Sequence, residues 1–498
     1  MFFPVYFLAQ LCKKRIAKTL RRNYIIENTY IRERTRRNFM ASGKKYQIDM
    51  CHGPIFSKII IFTIPLIAAN VMATLFNSAD MIVVGRFANS QALAAVGATN
   101  GLTALVLNLF FGLSSGISVL ATRFIGAKDN KSLNRVVHTA IAVAAYGGTA
   151  MAILGILISR PVLQLMGTPA EILNKASIYM WIYCAGIPFV VLYTFGSAVL
   201  RATGDTRRPL YYMIFAGILN VLLNLFFVIV CKMDVAGVAI ATKIANLVSA
   251  LLVIKALRRA EDATHFSWKR MKLDWKLFTE MLRLGVPAGI QGSCFSISNI
   301  IIQAAINSFG AVAIAGNTAA MNIDGLVYMT CVCFFHTSLN FTGQNYGAKK
   351  YHRIVRSILL STLCTAACGI IVGGTGLLLS RQLLGIYTTD ADVIAWGLLR
   401  MRIMLSTYFL CGVMDSINGG LRGLGYSFLP MFVSIMGICV FRVFWVYFIL
   451  PINNSLPMLI TSYPISWLGI IAINGSILYF ALRKLLASRK KKSAAVPG

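Results

Sequence analysis

Three carboxylates lie inside apolar stretches that are long enough to cross a membrane. Asp80 lies in FNSADMIVVGRF, Asp324 in AAMNIDGLVYM and Asp415 in CGVMDSINGGLRG. The whole chain has only 16 acidic residues, and most of the others fall between apolar runs. An ionisable group at membrane depth costs at least ~2.5 kcal/mol, so it needs a charged partner, a water-filled cavity or a proton. These three positions are therefore the first candidates for binding a proton or a cation.

Asp80 is the leading candidate for a proton- or sodium-linked carboxylate. It is the only charged residue between Lys58 and Arg86. At ~1.5 Å per residue, the 22 residues from Lys58 (80 − 58) place it ~33 Å from that end of the helix. The alternative is a helix-end carboxylate that faces water outside the membrane. Asn77, in the same segment, is a candidate cavity residue.

Two amides lie four residues apart at Asn220 and Asn224, and this spacing puts them on one face of a helix. Their carbonyl oxygens could coordinate a cation beside Asp80. Such amides also form hydrogen bonds between neighbouring membrane helices, which is the alternative role.

The second part of the chain has its own deep charges. Arg442, in ICVFRVFWVY, is expected to pair with Asp415, because such a pair would neutralise both groups. A purely structural pair is the alternative. Gln291, Asp324 and His336 are further candidates for a cavity or a relay, and histidine can transfer protons near neutral pH. A lone membrane histidine otherwise serves packing and hydrogen bonding.

The elements that would position these groups are membrane helices. The chain is 57% hydrophobic and only 13% charged, and a membrane helix needs about 20 mainly apolar residues. Runs of this kind predict an all-helical polytopic protein with about twelve spans. Their approximate cores are residues 58–82, 93–120, 134–158, 177–200, 209–231, 236–256, 281–305, 311–340, 354–379, 395–419, 428–450 and 460–482.

The net charge of +32 follows the order of the loops and does not resemble a nucleic-acid surface. Lys and Arg are concentrated at both ends of the chain and in alternate loops, such as residues 255–276 and 349–356, and the intervening loops are poor in them. By the positive-inside rule, this pattern predicts an even number of spans with both termini in the cytoplasm of an inner membrane. We expect no nucleic-acid partner.

The chain contains an internal repeat. Arg201 and Arg422 lie in the similar segments LRATGDTRRP and LRGLGYSFLP, and Gly126 and Gly347 lie in ATRFIGAKDN and TGQNYGAKKY. Both pairs are 221 residues apart (422 − 201 and 347 − 126). Six spans per repeat keep the two copies in the same orientation, as in parallel-repeat transporters. The predicted division is a basic extension (1–50), a six-helix lobe (51–258), a linker (259–276), a second lobe (277–485) and a basic tail (486–498).

The catalytic motifs that the sequence lacks limit the possible energy sources for transport. The sequence has no Walker A loop and no metalloprotease or serine-hydrolase motif, so we expect neither ATP hydrolysis nor an enzyme, and no cofactor. Transport would then depend on an ion gradient.

Gly112-x-x-x-Gly116 predicts a close contact between helices.

The motifs resemble the multidrug and toxic compound extrusion (MATE) family. FNSADMIVVGRFANSQALAAVG is similar to its first spans, LRATGDTRRPLYYMIFAGILNVLLN to its fourth-to-sixth-span signature, and LRGLGYSFLP to the repeat of that signature. The resemblance covers about residues 50–485. It implies two six-helix lobes around a central drug-binding cavity. It also implies that Asp80 matches the first-span coupling acid and Asn220 the fifth-span Asn, whereas Asn224 replaces an acid of that pattern.

The resemblance implies a secondary antiporter that exports small amphipathic or cationic drugs in exchange for H⁺ or Na⁺. Asp80, Asn220, Asn224 and Asp415 are the expected coupling residues, with Arg442 as a charge partner in the second lobe. Small-molecule drugs and membrane lipid are the expected partners, and the protein is expected to be a monomer. A lipid-linked sugar flippase of the same superfamily is the alternative, and a membrane-embedded enzyme is a remote one.

Overall fold

The computed structural model describes residues 46–87 and 90–494, and the chain from Ile48 onward forms one compact unit. The ordered elements of this part are helices. Those of the first half are α1 (Ile55–Phe87), α2 (Ser90–Ala127), α3 (Asn130–Leu165), α4 (Ala170–Ala185), α5 (Ile187–Ala202), α6 (Arg207–Leu225) and α7 (Asp234–Arg258). Those of the second half are α8 (Trp275–Asn307), α9 (Ala311–Gly347), α10 (Tyr351–Leu378), α11 (Ser380–Gly385), α12 (Ala391–Gly423), α13 (Phe428–Ser434), α14 (Phe441–Phe444) and α15 (Leu456–Ala494).

The prediction of about twelve spans is confirmed. Eleven segments of the described chain are long and apolar enough to cross a membrane, and α4 with α5 forms a twelfth that is bent by 42°. The bend lies at Gly186, just before Pro188 near the start of α5. Proline has no backbone N–H and disfavours a helical residue before it, so the ladder of hydrogen bonds is interrupted there.

The span over Phe428–Ile452 is less regular than its sequence suggests. Two π-helical segments, Ile435–Val440 and Trp445–Ile449, flank the single turn α14. The corresponding helix of the first half, α6, also ends in a π-helical segment, Phe226–Val230. Such wide turns are rare and are found mostly at functional sites.

Backbone conformation confirms the internal repeat. Lys128 and Lys349 both have a positive φ, at 57° and 56°, and they are 221 residues apart (349 − 128). Gly204 and Gly425 have φ of 91° and 93° at the same spacing (425 − 204). Left-handed residues are uncommon outside glycine, so two matched pairs show that the turns between corresponding helices are built in the same way.

The halves meet along α2 and α8, where glycines replace side chains. A Cβ added to Gly112 would lie 2.1 Å from the backbone nitrogen of Gly289, and one added to Gly116 would lie 2.7 Å from the carbonyl oxygen of Met281. The Gly112-x-x-x-Gly116 motif therefore marks a close contact, as predicted. We call this contact, formed by Gly112 and Gly116 with Gly285 and Gly289, the glycine seam.

A second crossing joins α2 and α9 at the end of the helices that carries the basic loops. A Cβ added to Gly126 would lie 1.9 Å from the carbonyl oxygen of Gln344, and one added to Gly347 would lie 2.0 Å from that of Arg123. The Gln344 side chain also donates a 2.6 Å hydrogen bond to the carbonyl oxygen of Ala202. The two halves are thus bonded to each other at the basic-loop end.

The structure refines two predicted boundaries. The predicted basic extension covers residues 1–50, of which residues 1–45 lie outside the described part of the chain. Met50 is fully buried, however, and its carbonyl accepts a 3.0 Å hydrogen bond from Arg353, so the helical body already includes this segment. Likewise, α15 continues past the predicted start of the tail at 486 and ends at Ala494. In the sequence, a lone apolar residue between polar residues resembles a loop, and so does a helix end rich in Lys and Arg.

The linker at 259–276 is packed against the first half. Phe266 is fully buried, and Asn134 of α3 donates hydrogen bonds to the carbonyl oxygens of Ala263 (3.1 Å) and His265 (2.9 Å). The connection between the halves is therefore fixed to α3 over part of its length.

We expect Gly112→Ala to lower the stability of the protein by about 1–3 kcal/mol, because the added methyl group overpacks the glycine seam. Gly101→Ala on the same helix is the matched control, since a Cβ there meets nothing within 4 Å. Thermal unfolding of the detergent-purified variants, followed by size-exclusion chromatography, would measure both. Equal melting temperatures would show that the seam tolerates side chains.

Candidate functional site

Asp80 lies at the centre of a polar cluster in the first half. Asn224 of α6 donates a hydrogen bond to Asp80 Oδ1. The amide of Asn220, with its nitrogen facing the carboxylate, donates to the same oxygen at 2.8 Å, and its oxygen lies 3.2 Å from the Thr242 hydroxyl of α7. The structure thus brings together Asp80, Asn220 and Asn224, and it adds Thr242, which the sequence did not single out.

The start of α6 is held by a buried carboxylate in the preceding turn. Asp205 is fully buried and accepts hydrogen bonds from the backbone N–H groups of Arg207 (3.2 Å) and Arg208 (3.1 Å). Its other oxygen binds the Arg208 guanidinium. Burial raises the pKa of Asp205, although Arg208 and these hydrogen bonds act in the opposite direction. This cap fixes the helix that carries both amides.

The cluster around Asp80 has spare capacity for a cation. None of the ion pairs in the described part of the chain involves Asp80. The buried side-chain oxygen of Asn224 has no hydrogen-bond partner in the described part of the chain, although the side-chain nitrogen of Asn224 binds Asp80. An unpaired carboxylate next to an unsatisfied carbonyl oxygen suits a proton or a hard cation, since hard cations take oxygen ligands.

A buried cation lies near this cluster. The Lys243 ammonium of α7 is 3.5 Å from the centre of the Tyr183 ring, and the residue is only 8% exposed. Tyr183 stacks on Tyr179, with 6.3 Å between the ring centres, and Tyr179 interacts electrostatically with Asp80. The signal in the sequence was a lysine within the apolar run AIATKIANLVSA.

In the second half, Asp324 pairs with a residue that the sequence analysis missed. Arg400 of α12 binds Asp324 at 2.8 Å, and each side chain is 4% exposed. Arg400 also donates to Asn317 at 3.0 Å. The structure thus places Asp324, a candidate for a cavity or a relay, in a buried ion pair with a guanidinium of a neighbouring helix. An arginine in the run WGLLRMRIML was the available signal.

The expected pair of Asp415 and Arg442 is also wrong. The Arg442 guanidinium lies 3.9 Å from the centre of the Tyr463 ring and donates to the Ser466 hydroxyl at 3.3 Å. Asp415 instead interacts with Arg422, seven residues later on α12. Asp415 and Arg422 are about two turns apart on one helix, so they lie on nearly the same face of it. The sequence indicates the membrane depth of Asp415 and of Arg442 but not the helix face on which each lies.

Of the remaining candidates, Gln291 and His336 lie on helices of the second half, and Asn77 lies one turn before Asp80 on α1. The Gln291 side-chain oxygen accepts a 2.5 Å hydrogen bond from Arg422, and this contact links α8 to α12. His336 lies close enough to Arg201 and Arg422 to interact with both electrostatically, and its Nδ1 has no partner in the described residues. Asn77 is exposed on α1.

We expect Arg400→Met to destabilise the protein by about 3–5 kcal/mol, because it leaves the Asp324 carboxylate buried and unpaired. The double variant Asp324→Leu/Arg400→Met should recover most of this loss, since it removes both charges together. Thermal unfolding of Asp324→Leu, Arg400→Met and the double variant would give the coupling energy between the two side chains. Additive losses would contradict a buried pair.

Comparison with known proteins places this arrangement in context. The family model described as MatE matches residues 65–226 and again 287–448. The two matches begin and end 222 residues apart (287 − 65 and 448 − 226), in agreement with the internal repeat. Together they cover more than half of the chain.

Individual relatives are similar over most of their length. A probable multidrug resistance protein, YoeA of Bacillus subtilis, is 28% identical over 77% of this chain and 84% of its own. Among solved structures, a MATE protein in complex with MaL6 has a TM-score of 0.83 at 20% identity, and covers 88% of this chain and 98% of its own. A MOP superfamily transporter from Pyrococcus furiosus has a TM-score of 0.82 at 21% identity, with the same coverage. At these identities, the two structures establish the fold.

Proposed function

The chain belongs to the MatE family of multi-pass membrane transporters, and from this premise we propose that it is a secondary active antiporter. It exports small amphipathic or cationic organic compounds in exchange for protons or sodium ions. Relatives named as multidrug resistance or multidrug export proteins support the class of compound, including those of Bacillus subtilis and Staphylococcus aureus.

The observation that carries this proposal is the environment of Asp80. Its carboxylate accepts hydrogen bonds from the Asn220 and Asn224 amides, and no ion pair of the described residues neutralises it. A proton or a sodium ion would supply the missing positive charge. An ion that binds Asp80 better in one conformation than in the other would shift the balance between them, and only this difference in affinity can drive transport.

Asn224 bears on which ion is used. Since an amide stands where the family pattern has an acid, the cluster has one carboxylate, and one bound proton neutralises it. Sodium would require the oxygens of Asp80, Asn224 and Thr242 to gather around it, and the unsatisfied Asn224 oxygen is available for this. Both ions remain within the proposal, and transport under separate gradients distinguishes them.

We propose that the transporter works as a monomer in the inner membrane, with both termini in the cytoplasm. The end at which the halves are bonded through Gln344 and Ala202 carries the basic loops, and positive loops stay on the cytoplasmic side. In this conformation, the cytoplasmic side is the closed one.

Asp80→Asn should abolish gradient-driven export, because the amide keeps the shape of the side chain and removes the charge that the ion neutralises. Ethidium transport into inverted vesicles, with proton and sodium gradients imposed separately, would measure it. Transport in the wild type should respond to one of the two gradients.

Asp392→Asn is the matched control for this test, since it makes the same chemical change at an exposed acid in the first turn of α12. It should transport as the wild type does. Unimpaired export by Asp80→Asn would rule out its coupling role. An absence of ethidium transport in correctly folded wild type, under either gradient, would favour the lipid-linked sugar flippase.

A further inference from the structure

Each half holds a polar cluster, and some residues around the two clusters correspond in the repeat. Thr242 of the first half corresponds to Tyr463 of the second (463 − 242 = 221), and Tyr179 corresponds to Arg400 (400 − 179 = 221). Thr242 lies beside the amide that binds Asp80, and Tyr463 lies beside Arg442. The carboxylates of the two clusters lie on different helices, since Asp80 is on α1 and Asp324 on α9.

The two clusters differ in how their charges are balanced. The first contains the Asp80 carboxylate, held by neutral amides, and the Lys243 ammonium lies nearby on the face of Tyr183. The second contains Asp324 with two guanidiniums, Arg400 and Arg442. Since Asp324 binds Arg400, no carboxylate among the described residues of this cluster balances the charge of Arg442. The second cluster therefore carries an excess positive charge, which attracts anions.

Arg442 is buried without a carboxylate. It is 4% exposed, and none of the ion pairs among the described residues involves it. Its contacts are the face of Tyr463 at 3.9 Å and the hydroxyl of Ser466 at 3.3 Å, and its Nε has no hydrogen-bond partner among the described residues. The Arg400 guanidinium lies 5.9 Å from the centre of the same ring, but its own partners are Asp324 and Asn317.

These contacts do not replace a counter-ion. An aromatic face attracts a cation, but a guanidinium offers five N–H donors in a fork that matches a carboxylate. The π-helical segments before and after α14 interrupt regular packing on both sides of Arg442. A buried charge without a counter-ion, beside π-helical turns of the kind frequently found at functional sites, is a candidate ligand site.

We propose that Arg442 binds an anionic group, a carboxylate, of the compounds that this transporter exports. This inference rests on the proposed function and refines it: the preferred substrates are amphipathic compounds with a carboxylate, including zwitterions. Arg442 contacts the carboxylate through its unpaired N–H groups, and Tyr463 holds the guanidinium plane in position. Asp80 binds the coupling ion, so the two charges of the protein serve different ligands.

Two dyes with one scaffold test the proposal. Rhodamine 110 carries a free carboxylate, and rhodamine 123 is its methyl ester. Fluorescence polarisation with the purified, full-length protein would give the dissociation constant of each. We expect the wild type to bind the acid more tightly than the ester. Equal binding, or tighter binding of the ester, would overturn the proposal.

Arg442→Gln should lower the preference for the acid about tenfold or more, because a hydrogen bond to a charged group is lost. If Arg442 has only a structural role, its substitution would weaken the binding of both dyes alike and leave the ratio of their dissociation constants unchanged. That result would overturn the proposal. Arg442→Lys keeps the charge but not the fork, and should give a smaller drop in the ratio. If Arg442→Gln does not yield monodisperse protein, Arg442→Lys decides the test. A wild-type ratio of the two dissociation constants in Arg442→Lys would then count against the site.

Arg381→Gln is the matched control, since it removes an exposed guanidinium from α11 of the same half. Its ratio should equal that of the wild type. Ethidium transport by the wild type, measured in parallel, separates the two levels of the argument. If ethidium transport is normal and the ratio does not depend on Arg442, the anion site alone is refuted; if wild-type transport is absent, the proposed function fails as well.

Discussion

Neutralisation of charge within membrane helices is the constraint on which the arrangement of both halves depends. Water cannot surround these groups, so each must find its partners among the neighbouring helices. Asp324 and Arg400 satisfy each other, and this pair fixes α9 against α12. Among the described residues, Asp80 is bound by amides but forms no ion pair, and Arg442 and Lys243 each lie on a tyrosine ring without a carboxylate. Asp80 and Arg442 are the incompletely paired charges at which we propose that ligands bind.

The repeat explains how two different sites could arise in one protein. Corresponding helices place side chains at corresponding depths, so a substitution in one copy changes the chemistry of that half alone. Thr242 and Tyr463 show this directly, since one lies beside an acid-binding amide and the other beside a guanidinium. The shared turns at Gly204 and Gly425 show that the backbone stayed the same while the side chains diverged. The two halves therefore share the path of the chain, although their charged residues and the regularity of their helices differ.

The sequence predicted the features that depend on composition and periodicity. Apolar length located the spans, the repeat was visible from Gly126 and Gly347, and the spacing of Asn220 and Asn224 placed both on one helix face. Pairing across helices was harder. The depths of Asp415 and Arg442 made a pair plausible, but rotation about each helix axis decides contact, and a single sequence does not contain that angle. Arg400 was overlooked because the sequence shows that an arginine in an apolar run is costly to bury, but it does not show which residue pairs with it.

The glycine seam has a consequence for how the halves come apart. Where side chains interdigitate, separation requires each one to leave its pocket and change its rotamer, and the barrier grows with every contact. At Gly112 and Gly289, backbone lies directly against backbone, and the Leu109 and Leu113 side chains pack beside this contact. Few side chains therefore have to leave a pocket when the two helices move relative to each other. The glycines that bring α2 and α8 so close would let the halves rotate about this crossing with little repacking.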